Sequence, residues 1–120
     1  MGILSKIFGN KSSSENTQEE EHAVIVYFDY GLPDLSALRE LESELESEIE
    51  RLSLGEYDGD EIATDLSDGM LYMYGPNADN LFNGIKPILQ KTEFTKSAKV
   101  KLRYGPPEDG VKEIYVQVSS

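Results

Sequence analysis

The stretch that decides the fold is "AVIVYFDY", residues 23–30. It is rich in β-branched and aromatic residues, and its apolar side chains fall at both odd and even positions. A strand with two apolar faces is typical of the interior of a sheet, where it has a neighbour on each side. We therefore expect residues 23–30 to form the central strand, around which the rest of the domain is arranged.

A helical period follows this strand. Leucine or isoleucine recurs at three- and four-residue spacing from Leu35 to Leu52, which predicts an amphipathic helix with one apolar stripe. Asp34 stands just before the stripe and is a suitable N-cap. The other positions include six glutamates in two i,i+4 rows, which we expect to be solvated because like charges at that spacing repel one another. These glutamates are Glu40, Glu42, Glu44, Glu46, Glu48 and Glu50.

A hairpin is predicted next. "IATDL", 62–66, alternates apolar and polar residues, "SDG", 67–69, is a turn signal, and "MLYMY", 70–74, supplies the return strand. The acidic stretch before it, "GEYDGDE", is interpreted as a solvated turn. It lacks the third oxygen ligand and the distant glutamate of a calcium loop, so no metal site is predicted.

The tripeptide Tyr-Gly-Pro occurs twice, at 74–76 and 104–106. The first copy is followed by Asn77, a good N-cap, and by "ADNLFNGIKPILQK", whose apolar residues have helical spacing. Pro87 is expected to kink or interrupt this second helix. The second copy ends the alternating strand "AKVKLRY", 98–104, and the turn-rich loop "GPPEDG" joins it to a last strand, "VKEIYVQV".

The resulting order, β-α-β-β-α-β-β, contains two right-handed crossovers on one sheet. It predicts a ferredoxin-like α+β sandwich with a five-stranded antiparallel or mixed sheet, strand order 2-3-1-4-5, and both helices on one face. Residues 23–120 form this single domain, and residues 1–22 are expected to be a disordered tail with a short apolar tip. We expect strands 3 and 4 to run antiparallel, which would place the two Tyr-Gly-Pro junctions at opposite ends of the sheet.

Composition restricts the chemistry. The net charge of −12 is concentrated in residues 34–68, which hold 13 acidic and 2 basic side chains, whereas residues 69–120 hold 5 acidic and 7 basic ones. Such a charge disfavours nucleic acid as a partner. The absence of cysteine excludes disulfides and thiolate chemistry. With neither a secretory signal nor a membrane-spanning stretch, we expect a cytoplasmic protein, and residues 1–8 could make only a weak contact with a membrane surface.

The sheet face without helices is the first candidate surface. It would present Lys99, Lys101 and Arg103, with tyrosines beside them: Tyr27, Tyr72, Tyr74 and Tyr115. RNA-binding sheets use aromatic and basic groups in this way, but their aromatic motif is absent here. We favour a homodimer or another protein partner, reached sheet on sheet or through an edge strand such as 112–118.

Two alternatives remain open. In one, the glutamate rows imitate nucleic-acid phosphates, and the protein is an acidic inhibitor or immunity-type protein for a basic partner such as a nuclease. All six glutamates would take part in the contact, among them the candidate partner-binding residues Glu40, Glu44 and Glu48. In the other, a small-molecule binder or enzyme uses the space between the uncovered sheet face and residues 57–61. No catalytic residues and no cofactor are predicted, because nucleophile-elbow, phosphate-loop and dinucleotide motifs are all absent.

The stretches "LYMYGPNADNLFNGIKPIL", 71–89, and "AKVKLRYGPPEDG", 98–110, resemble an uncharacterised family of small bacterial proteins. Its members are similar in a strand, Tyr-Gly-Pro and helix junction, and in a later strand that ends in Arg-Tyr-Gly-Pro-Pro. The resemblance covers residues 23–118. It implies a bacterial, cytoplasmic setting and carries no activity, ligand or site residue with it.

Overall fold

The computed structural model describes residues 21–119, and within them the predicted element order is confirmed. The elements are β1 His22–Asp29, α1 Ser36–Arg51, β2 Glu56–Ile62, β3 Asp68–Gly75, α2 Ala78–Lys91, β4 Lys99–Arg103 and β5 Glu113–Gln117. The strands form one antiparallel sheet in the order β2-β3-β1-β4-β5, the order predicted from the sequence.

The predicted tail falls almost wholly outside the described residues. Its last two residues are described, and the second of them, His22, already begins β1. Its apolar tip and the membrane contact predicted for residues 1–8 lie outside the described part of the chain. Between residues 21 and 119, neither helix combines the length and the apolar character needed to cross a membrane.

The core lies between the sheet and the two helices. Val24 of β1 is fully buried, with Met73 of β3 opposite it on one side and Leu102 of β4 on the other. Leu45 of α1 and Ile85 of α2 are also fully buried and belong to the same cluster. Both helices therefore cover one face of the sheet, as predicted, and β1 lies at its centre.

The first hairpin lies earlier in the chain than predicted. β2 is formed by the acidic stretch "EYDGDEI", and "IATDL" contributes mainly the turn, in which Leu66 has φ 62°. A bulge between Tyr57 and Gly59, where Gly59 has φ 125°, allows Tyr57 and Ile62 both to reach the helix-covered side. Pairing with β3 and these two apolar contacts outweigh the low strand propensity of the acidic residues.

The expected orientation of strands 3 and 4 is wrong. His22 pairs with Gly75, and Ala23 pairs with Arg103, so β3 and β4 both run antiparallel to β1. Two strands that flank a common antiparallel neighbour must run parallel to each other. Both Tyr-Gly-Pro junctions therefore lie at the same end of the sheet, beside the start of β1.

The helix ends follow their capping residues. The Asn77 side chain accepts a hydrogen bond from the backbone N–H of Asn80 at 2.9 Å, which confirms the predicted N-cap of α2. At α1 the predicted N-cap is one residue early: the N-cap is Leu35, whose side chain makes no capping bond, and the Asp34 carboxylate accepts from the backbone N–H of Ser36. Of the two effects predicted for Pro87, a kink or an interruption, the interruption is wrong: α2 continues through Pro87, because one missing N–H···O bond is offset by the extensive apolar face that the helix buries.

Candidate functional site

The open face, defined as the side of the sheet away from α1 and α2, carries the basic residues predicted for it. Lys99, Lys101 and Arg103 occupy alternate positions of β4 and point away from the helix-covered side. Their neighbours across the strands are Tyr27, Ile25 and Ala23 on β1 and Gln117, Tyr115 and Glu113 on β5, with Tyr72 and Tyr74 of β3 beyond β1. The structure thus brings the predicted basic and tyrosine residues together on one surface.

This face already covers its own apolar centre. Ala23 and Ile25 are only 0% and 8% exposed, although neither helix of residues 21–119 lies over them. Ile25 is flanked in register by Tyr72 and Lys101, whose long side chains can lie over it while their polar ends stay in water. The two apolar faces of β1 therefore do not require a second sheet packed on top, which removes the main reason for a sheet-on-sheet dimer.

The basic groups are drawn toward β5. The Nζ atom of Lys99 lies 5.0 Å from the ring centroid of Tyr115 and 5.7 Å from that of Tyr27, distances typical of cation–π contacts. Lys101 lies 3.8 Å from the carboxylate of Glu113. Tyr115 nevertheless remains 55% exposed, so its ring is accessible from outside.

The opposite side of the open face is acidic. The Tyr72 hydroxyl donates to Glu61 at 2.6 Å, and this hydrogen bond, with some burial, raises the pKa of Tyr72 to about 12. Burial and the neighbouring Asp58 carboxylate raise the pKa of Tyr74. The face therefore changes sign across its width, from negative near β2 to positive near β4.

β5 is the most exposed strand of the sheet. Within the described residues, neither helix packs against it, and β4 is its only strand neighbour. Ile114 is 37% exposed on the helix-covered side, and Tyr115 is exposed on the open face. Val116 is half-buried. An incoming polypeptide could therefore contact side chains on both faces of β5.

The peptide groups of β5 alternate in direction, and bonds at its two ends fix the alternation. The carbonyl of Lys112 accepts from Tyr104 of the preceding strand segment at 2.9 Å, and the N–H of Val118 donates to Ala98 at 3.0 Å. In an antiparallel ladder every second residue bonds to the same neighbour, so the even-numbered residues of β5 bond to β4. The residues whose N–H and C=O point outward, here called the β5 edge, are Glu113, Tyr115 and Gln117.

The other edge of the sheet has the features that prevent further pairing. β2 carries four carboxylates and is interrupted by the bulge between Tyr57 and Gly59. Charged side chains and bulges are the usual means by which edge strands avoid adding another strand. β5 has a regular register with β4, no glycine or proline and a single charged residue, Glu113. Of the two edges, only β5 is suited to pairing.

The glutamates of α1 do not form one uniform acidic face. Glu44 pairs with Lys91 of α2, and Glu48 pairs with Arg51 at 2.7 Å. At 100° per residue these glutamates lie on the flanks of the helix, and the crest opposite the core carries Ser43 and Ser47. Glu40, Glu46 and Glu50 are exposed to solvent, as expected for the glutamate rows.

Glu42 departs from that expectation because its side chain is only 13% exposed. It accepts a hydrogen bond from Tyr57 and shares the Arg39 guanidinium with Asp60, which lies 2.7 Å from the same nitrogen. Burial raises the pKa of Glu42, whereas hydrogen bonds from Glu42 and Arg39 lower the pKa of Asp60. This cluster joins α1 to β2, and we assign it a structural role.

A groove with a volume of about 1020 Å³ lies at the end of the sheet where β1 finishes. Its walls include Tyr27, Phe94, Glu61, Asp68 and Lys99. Tyr72, Tyr74 and Arg103, the residues that a binding pocket on the open face would use, do not line it. Among residues 21–119 no three histidine or carboxylate side chains are grouped so that they could hold a metal ion.

The end of the sheet where both Tyr-Gly-Pro junctions meet is held by side-chain contacts. The Nδ1 atom of His22 accepts a hydrogen bond from the backbone N–H of Ala78 at 3.0 Å, and its ring packs edge-on against Tyr104. The Tyr104 hydroxyl donates to Asp79 at 2.7 Å. His22 therefore helps to cap α2. The two Tyr-Gly-Pro tripeptides belong to one structural cluster, which the expected antiparallel orientation of strands 3 and 4 did not predict.

No family model, no curated protein and no solved structure matches the chain. The fold and surfaces define the class of domain: a two-layer α+β sandwich with one protected and one unprotected sheet edge. The resemblance to a bacterial family stays a prediction.

Proposed function

We propose that the protein is a non-catalytic interaction domain that binds an extended segment of polypeptide along the β5 edge. The observation that carries the proposal is the combination of outward peptide groups with side chains accessible on both faces of β5. In recognition by strand addition, main-chain hydrogen bonds supply affinity and alternate side-chain contacts supply specificity. The bacterial, cytoplasmic setting implied by the resemblance is part of the same proposal.

The surroundings of β5 indicate which strand would fit. On the helix-covered side, an added strand meets Ile114 and the half-buried Val116, which favour apolar residues at alternate positions. On the open face it meets the Tyr115 ring, and Lys99 and Lys101 lie behind that ring. Aromatic or acidic residues suit that side. The preferred segment is therefore β-branched on one face and aromatic or acidic on the other.

A proline substitution tests the proposal because the N–H of Tyr115 points away from β4. Tyr115→Pro removes this outward donor and obstructs the edge, while leaving the bonds between β4 and β5 in place. Tyr115→Thr is the matched control, since it removes the ring but retains the N–H and has high strand propensity. Both variants should keep the circular dichroism spectrum of the wild type.

The probe is a library of random extended peptides, selected for binding to the full-length wild-type protein. At protein concentrations low enough for the chain to be monomeric, we expect selected peptides to bind wild type and Tyr115→Thr and to lose at least about tenfold in affinity for Tyr115→Pro. Under the same conditions they should slow amide exchange at residues 113, 115 and 117. Peptides that bind Tyr115→Pro as well as they bind wild type, or protection confined to other strands, would refute the proposal.

A further inference from the structure

The identity of the added strand can also be argued from β5 itself. We infer that it is β5 of a second copy of this chain, paired antiparallel about a two-fold axis that passes through Tyr115. The inference rests on the proposed function of the β5 edge and names its partner. It joins two five-stranded sheets into one continuous sheet, with the helices of both copies on the same side.

The direction of the peptide groups selects this register. A two-fold axis at Tyr115 pairs Tyr115 with the partner's Tyr115, and it pairs Glu113 with the partner's Gln117. All three outward-facing residues of each copy then take part, which gives about six main-chain hydrogen bonds, two for each bonded pair. If the two-fold axis passed through Ile114 or Val116 instead, one outward-facing residue of each copy would lie opposite a partner residue beyond the end of β5.

The side-chain contacts across the paired strands favour the same register. On the helix-covered side, Ile114 lies opposite the partner's Val116, so the exposed Ile114 of each copy covers a half-buried valine of the other. On the open face, the two Tyr115 rings become neighbours, and Glu113 faces a neutral glutamine. An axis at Glu113 would instead set two carboxylates directly opposite each other, which is unfavourable.

The shape of the domain leaves room for the partner and closes the assembly. In the part of the chain that the structure describes, neither helix packs against β5, so the helix layers of two copies are separated by the paired β5 strands. The remaining free edge of each copy is β2, whose carboxylates and bulge oppose further pairing. Pairing through β5 therefore ends with two copies and does not continue into a fibre.

Cysteine cross-linking of the full chain tests the register directly, because the natural sequence contains no cysteine. In Tyr115→Cys, the two introduced residues lie opposite each other with Cα atoms about 5.5 Å apart, within the range of a disulfide. In Glu113→Cys or Gln117→Cys, the like residues are separated by about 14 Å along the strand. We expect rapid symmetric disulfide formation only at position 115, and cross-linking of the two control variants when they are mixed.

Analytical ultracentrifugation tests the association itself. We expect wild type and Tyr115→Thr to sediment as dimers and Tyr115→Pro as a monomer, with the dissociation constant raised at least about 100-fold because each copy loses a donor at the axis. A wild-type monomer at millimolar concentration overturns the inference. Peptide binding at β5 would then still support the proposed function. A dimer that persists in Tyr115→Pro also overturns the inference, and if in addition no peptide binds at β5, the proposed function fails as well. Symmetric cross-linking at positions 113 and 117 but not at 115 likewise overturns the inference.

Discussion

Replacing Gly75 with alanine should destabilise the domain much more than the same change at Gly105, although each glycine is the middle residue of a Tyr-Gly-Pro tripeptide. A Cβ atom on Gly75 would lie 2.2 Å from the carbonyl oxygen of Leu54 and 3.3 Å from the Cα of Gly55. Both are backbone atoms of the segment between α1 and β2. A Cβ on Gly105 would meet only the far end of the Val111 side chain, at 2.7 Å.

The size of the effect follows from what has to move. Relief at Gly75 needs a shift of about 1 Å between two backbone segments, and overpacking of this kind costs about 3 kcal/mol. One segment is anchored by the bond from the Leu54 N–H to the Ile49 carbonyl at 3.0 Å, and the other is part of β3. At Gly105 a rotation of Val111 should reduce the cost to about 1 kcal/mol or less. The difference is a large fraction of the 5–15 kcal/mol that is about the usual stability of a domain.

Urea unfolding followed by circular dichroism measures both variants. The loss predicted for Gly75→Ala corresponds to a melting temperature lower by about 12–24 °C, at about 4–8 °C per kcal/mol for a domain of this size. All samples should be compared at one protein concentration, because self-association would add to the apparent stability. The reasoning is refuted if Gly75→Ala lies within 1 kcal/mol of wild type, or if Gly105→Ala costs as much as Gly75→Ala; these thresholds are about the error of the method.

Three further predictions concern the helices. Asn77→Ala should lower the urea midpoint by the equivalent of about 1 kcal/mol because it removes the N-cap of α2, whereas Asn80→Ala should have little effect; equal losses would contradict this role of the Asn77 side chain. Leu45→Ala should cost about 2–5 kcal/mol, since the leucine is fully buried, and a loss below that range in thermal unfolding would place it outside the core. Glu42→Gln should gain stability relative to wild type as the pH rises above 4.5. Burial raises the pKa of Glu42 above that ordinary value, so the folded state holds the proton more tightly than the unfolded chain and stability falls as the proton is lost. Unfolding at pH values on either side of 4.5 checks the sign, and a pH-independent difference would contradict it.

Periodicity accounts for the parts of the fold that the sequence predicts well. The two-sided apolar run of β1, the leucine stripe of α1 and the alternation of β4 each depend on residues close together in the chain. The positions of Lys99, Lys101 and Arg103 on the open face follow from the same alternation.

The parts that could not be predicted depend on distant contacts. β2 is acidic, and it becomes a strand because Tyr57 and Ile62 reach the core once a bulge corrects their spacing. The half-buried state of Glu42 depends on that placement of β2. The hydrogen bonds to β4 likewise determine which peptide groups of β5 face outward. The sequence alone therefore identifies an edge strand but not the outward-facing residues on it.

The central position of β1 also affects how the chain reaches its folded state. β1 is the first strand of the described residues, yet it pairs with β3, which begins at Asp68, and with β4, which begins at Lys99. During translation the apolar segment 23–30 emerges from the ribosome before either neighbour emerges, so at first it has no native partner on either side. Such a high contact order favours slow folding. The nascent chain should therefore depend on chaperones until β4 emerges.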